Sequence, residues 1–104
     1  MIAYRMQYHP VHRELIRLAR SREFGEVRFL SAVNGQNQAP NGQWRQIRQM
    51  SGGGSLPDIG IYCFNAFRYI TGEEPVEVFA YGESLIDKAI GKAGDTDSAM
   101  VIMK

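Results

Sequence analysis

The chain has 104 residues, of which 44% are hydrophobic and 22% are charged, and these values are ordinary for one folded domain with a modest core. The formal net charge of +1 gives no reason to expect nucleic acid or an anionic membrane as a partner. The single cysteine, Cys63, excludes an internal disulfide and is expected to be buried as a small hydrophobic residue.

Both ends of the sequence have the composition of strands. The chain begins with Met-Ile-Ala-Tyr, and Ala99 to Lys104 is almost entirely apolar, so we expect a piece of a longer protein. No stretch reaches the roughly 20 apolar residues that cross a bilayer, and the N-terminus does not resemble a signal peptide. The compartment stays open, with a cytoplasmic location favoured.

The first half of the chain predicts a strand, a helix and a second strand. The first strand covers residues 1–5, and an amphipathic helix follows from Pro10 to about Ser21 or Arg22. Alternating apolar residues predict a strand at residues 26–33. Residues 34–54 are polar, rich in Gly, Asn and Gln, and without a regular period, and a connection of this length is usually functional or disordered.

The helix predicted from Ser55 to Gly72 has the clearest boundaries in the sequence. Ser55 is the predicted N-cap, Asp58 completes a variant of the capping box, and Gly72 supplies the left-handed residue that ends the helix. Apolar residues recur at helical spacing and predict a buried stripe. The stripe consists of Leu56, Ile59, Cys63, Phe67 and Ile70.

Two further strands are predicted after this helix. They cover residues 76–81 and 98–103, with a polar, glycine-containing connection between them. The order of elements favours an α+β fold, with a mainly antiparallel sheet and helices packed on one face. A final strand at the end of the chain would leave an exposed edge, which favours pairing with another chain.

A polar line on the same helix contains the residues best suited to chemistry. It follows the same helical period and consists of Asp58, Tyr62, Asn65 and Tyr69. Asp58 and Tyr62 are four residues apart, so their side chains are expected on one helix face. A carboxylate beside a phenol is a usable proton-handling pair, although the phenol needs a nearby positive charge to act as a base at neutral pH. The alternative is that Asp58 only caps the helix and Tyr62 only packs.

Two other patterns do not predict a site. His9 and His12 lie three residues apart, but no further ligands stand at matching spacing, so no metal is expected. The glycines at 52–54 precede a helix and could cradle an anion on its first amides. They lack the Gly-x-Gly-x-x-Gly spacing and the Gly-Lys-Ser/Thr ending, so a nucleotide-phosphate loop is not supported.

Taken together, these segments resemble the C-terminal, substrate-binding half of the glucose–fructose oxidoreductase-like (Gfo/Idh/MocA) family of NAD(P)-dependent oxidoreductases. The likeness covers residues 1–82, and residues 83–104 fit only as strand and loop. The segments that carry it are Met1-Ile2-Ala3-Tyr4-Arg5 with Tyr8 and Pro10, Phe24-Gly25-Glu26-Val27, Trp44-Arg45, Gly52-Gly53-Gly54-Ser55-Leu56, Asp58-Ile59-Gly60-Ile61-Tyr62, Arg68-Tyr69 and Gly72-Glu73-Glu74-Pro75-Val76.

The resemblance implies roles for particular residues. Tyr62 stands where many family members have histidine, and it would be the acid/base that exchanges the hydroxyl proton as hydride moves between a sugar or polyol carbon and the nicotinamide. Asp58 would hold the substrate or the phenol. The residues implied to line the substrate pocket are Arg5, Tyr8, Trp44 and Arg45.

The family's dinucleotide-binding domain, with its lysine in a Glu-Lys-Pro motif, does not occur in this sequence. We therefore expect residues 1–104 to form a single partial substrate-binding and oligomerisation domain. The full-length protein is expected to use NADP or NAD. This chain alone is expected neither to bind the cofactor tightly nor to show turnover. A homo-oligomer formed through the sheet is also expected. The alternative is a non-catalytic binding or oligomerisation module with a vestigial pocket.

Overall fold

The structure is a computed structural model that describes residues 4–36, 43–85 and 96–104. The chain divides into two compact units. Unit 1 comprises Met1–Val33 and Tyr62–Pro75, and unit 2 comprises Asn34–Ile61 and Val76–Lys104.

Unit 1 is built on two helices. α1 spans Pro10–Ser21. Proline suits the first turn because the N–H groups of that turn have no partner within the helix, so the N–H that proline lacks costs no hydrogen bond. Arg22 is left-handed and ends α1, which confirms the prediction. The second long helix, α3, spans Ile61–Thr71 and is preceded in the chain by a short helix of unit 2, α2, at Arg48–Ser51. Arg20 of α1 donates a hydrogen bond from Nε to the backbone carbonyl oxygen of Tyr69, at 2.9 Å, and so joins the two helices.

Gly72 ends α3 as predicted. Its φ is 79°, a left-handed value that glycine adopts without strain, and its N–H donates to the carbonyl oxygen of Arg68 at 2.8 Å. Beyond this end, Arg68 donates a hydrogen bond from Nε to Glu74 at 2.7 Å. That hydrogen bond, with the charge of the guanidinium, holds the pKa of Glu74 below its usual range.

Two strand predictions in this half of the chain are wrong where the structure describes them. Arg5 belongs to a 3-10 turn at Arg5–Tyr8, and residues 1–3 lie outside the described residues. Residues 26–33 form no strand, and among the described residues no neighbour pairs with them in a sheet. Phe29 and Val33 are accordingly 84% and 97% exposed. An alternating pattern makes a segment suitable for a sheet, but a strand also needs a partner for its backbone hydrogen bonds.

Unit 2 contains the sheet. β1 spans Val78–Glu83 and pairs antiparallel with β2, which spans Ser98–Met103. The bounds of β2 are those predicted, and β1 is shifted two residues towards the C-terminus. The α+β class and the antiparallel pairing are therefore confirmed. The polar connection before the long helix contains a 3-10 turn at Trp44–Gln46 and a short helix, α2, at Arg48–Ser51; residues 37–42 and 86–95 lie outside the described residues.

The helix predicted to begin after Ser55 is present, but its first turn is a π-helix at Leu56–Gly60. Ser55 stands at the N-cap position as predicted, but it already has helical angles and its side chain makes no cap hydrogen bond, so the predicted capping contact is not formed. Its backbone N–H donates instead to the carbonyl oxygen of Thr96, at 2.9 Å. In a capping box this N–H would bond the carboxylate of Asp58. Asp58 is therefore free for another partner.

The predicted buried stripe is only half-buried, and this includes Cys63. Among the described residues, no hydrophobic side chain is fully buried. Each unit is small, and small units cover a lower fraction of their surface than large ones. In the described part of the chain, no helix is long and apolar enough to cross a membrane.

Candidate active site

In unit 2, the carboxylate of Asp58 forms an ion pair with Arg45. Nε of Arg45 donates a hydrogen bond to Oδ2 of Asp58 at 3.0 Å. The Asp58 side chain is 25% exposed and the Arg45 side chain is 36% exposed, so water screens this pair less than a fully exposed one. The capping alternative for Asp58 is therefore wrong, since the carboxylate bonds a side chain and not the start of its own helix.

Trp44 provides a platform for the same arginine. The guanidinium carbon of Arg45 lies 4.3 Å from the centre of the Trp44 ring, within the range of a cation–π interaction. The structure thus brings together three of the predicted site residues, which we call the Trp44–Arg45–Asp58 cluster. The family resemblance implied that Trp44 and Arg45 line a substrate pocket, but no spacing rule joins Arg45 to Asp58.

The glycine triplet connects α2 to the π turn of this cluster. Gly52, Gly53 and Gly54 all have positive φ, at 76°, 128° and 81°. Gly54 is buried and forms a parallel bridge with Thr96, whose backbone would overlap a Cβ at that position. At Gly54, therefore, the absence of a side chain allows the backbone of Thr96 to approach closely.

Tyr62 lies in unit 1, where it borders a cavity of about 30 Å³, large enough for one water molecule. Asn65, which is 8% exposed, borders the same cavity, as does Gln7. Oε1 of Gln7 is buried and has no hydrogen-bond partner among the described residues. Asn65 belongs to the polar line of the predicted helix, whereas nothing in the spacing of the sequence singles out Gln7.

Other predicted site residues are not brought to this cavity. Arg5 and Tyr8 lie in the 3-10 turn of unit 1, both exposed, and Tyr8 is 72% exposed. Their role in a substrate pocket stays a prediction. Asp58 belongs to unit 2 and Tyr62 to unit 1, so the expectation that their side chains share a helix face also stays a prediction.

The two histidines near the start of α1 contact each other. The rings of His9 and His12 meet edge to face, with centroids 5.5 Å apart. Within residues 4–36, 43–85 and 96–104, no group of three or more His, Cys, Asp and Glu side chains is arranged to hold a metal ion.

Comparison with protein families decides the relationship. Residues 12–104 match the family described as the GFO/IDH/MocA C-terminal domain. The chain belongs to the Gfo/Idh/MocA family. The resemblance found in the sequence is thereby confirmed, and the match includes residues 83–104, which the sequence motifs fitted only as strand and loop. This is a family of oxidoreductases.

Individual relatives of the Gfo/Idh/MocA chain agree with this assignment. An inositol 2-dehydrogenase of Rhizobium meliloti is 34% identical over 104 residues, which cover 100% of this chain and 30% of that protein. A myo-inositol 2-dehydrogenase of Thermotoga maritima is 52% identical over 52 residues, or 50% of this chain and 16% of that protein. The crystal structure of aldose-aldose oxidoreductase from Caulobacter crescentus, complexed with glycerol, matches with a TM-score of 0.82 and 38% identity, covering 99% of this chain and 31% of that one. The chain therefore spans less than a third of each relative.

Proposed function

We propose that this chain is the substrate-binding part of an NAD(P)-dependent oxidoreductase that transfers hydride from or to a sugar or polyol carbon. The observation that carries the proposal is the ion pair of Asp58 with Arg45, in a member of an oxidoreductase family. In this pair the Asp58 carboxylate is oriented by the Arg45 side chain and is not used as a helix cap. The names of the relatives support a hydroxylated substrate, since they act on inositol and aldoses.

In the proposed reaction, Tyr62 exchanges a proton with the substrate hydroxyl. In the oxidation direction the hydroxyl O–H breaks, its proton passes to the phenolate form of Tyr62, and a carbonyl forms as the hydride leaves carbon. The positive charge that a phenolate needs at neutral pH is proposed to come from the dinucleotide-binding domain. NAD or NADP, when bound, supplies the hydride acceptor. Among the described residues the Tyr62 side chain has no hydrogen-bond partner, so its hydroxyl is not committed to an internal contact.

Asp58 is proposed to accept a hydrogen bond from the substrate or from the phenol. Its Oδ2 atom accepts from Arg45, and no other described residue bonds the carboxylate. A carboxylate has two oxygens and accepts several hydrogen bonds, so one oxygen is left for this purpose. The remaining implied substrate contacts, Arg5 and Tyr8, are proposed on the family resemblance alone.

The cofactor is proposed to bind mainly outside this chain. The sequence contains neither the Gly-x-Gly-x-x-Gly fingerprint nor a Glu-Lys-Pro motif, so its residues do not fit a dinucleotide site by themselves. We propose that residues 1–104 are a partial C-terminal domain and that a dinucleotide-binding domain elsewhere in the full-length protein completes the site.

The proposal is tested by comparing the full-length protein with the isolated chain. We expect the full-length protein to reduce NAD or NADP in the presence of inositols or aldoses. The absorbance of the reduced nicotinamide measures this reaction. The isolated 104-residue chain is expected to give no turnover and no saturable NADP binding by calorimetry. Full-length protein that is inactive with every polyol tested, yet binds one of them, would favour the non-catalytic module. Saturable NADP binding by the isolated chain would contradict the assignment of the cofactor site to another domain.

We also propose that the sheet mediates self-association. In the antiparallel register Phe79 faces Ile102 and Tyr81 faces Met100, so the four side chains lie on one face of the sheet. Each of them is more than half exposed. An apolar face of this kind is typical of an interaction surface.

The chain is accordingly expected to form a dimer or a larger assembly in sedimentation velocity experiments. Phe79→Glu places a charge in the centre of this face and is expected to shift the protein to monomer. Val78→Glu, a matched change on the other face of the same strand, is the control and should leave the assembly intact. A monomeric parent protein at high concentration would rule the proposal out.

A further inference from the structure

We propose that Arg45 is a positioning residue that fixes the carboxylate of Asp58 and acts on the reaction only through it. The family resemblance placed Arg45 among the residues that contact substrate. The ion pair with Asp58 and the stacking on Trp44 give it a different task. This inference rests on the proposed function, because it assigns Arg45 to the same site.

Two contacts together restrict the orientation of the guanidinium group. The Nε edge donates to Oδ2 of Asp58 at 3.0 Å, and the face lies over the Trp44 ring at 4.3 Å. An edge contact and a face contact define the plane of a rigid, planar group, which a lysine ammonium does not offer. Arg45 thereby holds Asp58 in one rotamer and leaves its second oxygen to face a ligand.

The backbone between the two partners explains why such a contact is needed. Arg45 lies in a 3-10 turn and Asp58 in a π turn, 13 residues apart. Between them lies the glycine triplet, and glycine has more conformational freedom than any other residue. Thr96 holds the backbone at Gly54 and Ser55, but among the described residues no backbone hydrogen bond joins the turn of Arg45 to the turn of Asp58. The ion pair joins them directly across the triplet.

The π turn points to the same conclusion. Single π turns are rare and are found frequently at functional sites, because they alter the direction of a side chain relative to a regular helix. Asp58 lies within this turn, at Leu56–Gly60. The turn and the stacked arginine together fix the orientation of the Asp58 carboxylate, as a group that must point towards a ligand requires.

The test uses the full-length protein with a polyol substrate and compares kcat with KM. Arg45→Met is expected to lower kcat by about 10- to 100-fold, with KM changed less than about threefold, because a misplaced catalytic group costs rate more than binding. Arg45→Lys keeps the charge but not the plane, and is expected to recover little of the loss. Arg28→Met, at an arginine paired with Glu26 on the surface of unit 1, is the control and should match the parent.

A double-mutant comparison separates action through Asp58 from any general structural effect. In an Asp58→Asn background, adding Arg45→Met is expected to lower kcat no further, since the residue through which Arg45 acts is already disabled. An additive loss would overturn the proposal in favour of a structural role. A rise in KM with unchanged kcat would overturn it in favour of substrate contact.

Failure of this inference is distinguishable from failure of the proposed function. If Asp58→Asn and Tyr62→Phe lower kcat but Arg45→Met does not, the positioning role alone is refuted. If none of the three lowers kcat, the proposed function fails and this inference with it. If Arg45→Met does not fold, the kcat of Arg45→Lys decides, and parental turnover in that variant refutes the need for a planar group.

Discussion

Tyr62→Phe is expected to abolish hydride transfer by the full-length protein while leaving cofactor binding intact. The change removes one oxygen atom and keeps the ring, so the packing of α3 in unit 1 is preserved. A positioned general acid or base contributes about 10²- to 10⁴-fold to the rate, and the expected loss of kcat lies in this range. Steady-state turnover with a polyol measures the loss, and a titration of nicotinamide fluorescence measures cofactor affinity.

A matched control lies on the same helix. Tyr69→Phe removes a phenol oxygen seven residues further along the helix, and no role is proposed for that hydroxyl. The backbone carbonyl of Tyr69, which accepts a hydrogen bond from Arg20, is retained in the variant. This variant is expected to keep parental turnover. Near-normal turnover in Tyr62→Phe would refute the acid/base role, and lost cofactor affinity in that variant would point to a structural effect.

Element boundaries that depend on one residue were predictable from sequence. Pro10 at the start of α1 and Gly72 at the end of α3 act through their own backbone angles, and both predictions are confirmed. Boundaries that depend on distant partners were not predictable. Ser55 has the residue type of an N-cap, but its N–H bonds Thr96, which follows much later in the chain. Residues 26–33 have a strand pattern, but pairing depends on a neighbour.

The same distinction applies to the candidate site. Asp58 and Tyr62 could be selected from sequence, because a carboxylate and a phenol at helical spacing form a recognisable pattern. The partner of Asp58 could not be selected, since Arg45 lies in an irregular segment with no period. The buried oxygen of Gln7 was equally inaccessible to pattern analysis, because burial depends on how the 3-10 turn meets the rest of unit 1.

The Thr96 contact gives the second large prediction, which concerns stability. Gly54→Ala is expected to destabilise the protein strongly in equilibrium urea unfolding, and more than any other substitution in the glycine triplet. Alanine at a φ of 81° costs about 1–2 kcal/mol in backbone strain. Its Cβ would in addition overlap the Thr96 backbone, and overpacking costs about a further 1–3 kcal/mol. Because Thr96 also bonds the N–H of Ser55, the change is expected to displace the turn that carries Asp58.

Gly52→Ala separates these two costs. Gly52 has a φ of 76°, close to that of Gly54, but a Cβ there would meet nothing within 4 Å. The backbone strain is therefore nearly equal in the two variants, and the difference between their free energies of unfolding isolates the contact with Thr96. We expect Gly54→Ala to be less stable than Gly52→Ala by at least about 1 kcal/mol. Equal losses would show that the triplet is needed only for its backbone angles, and that the bridge to Thr96 does not position the turn of Asp58.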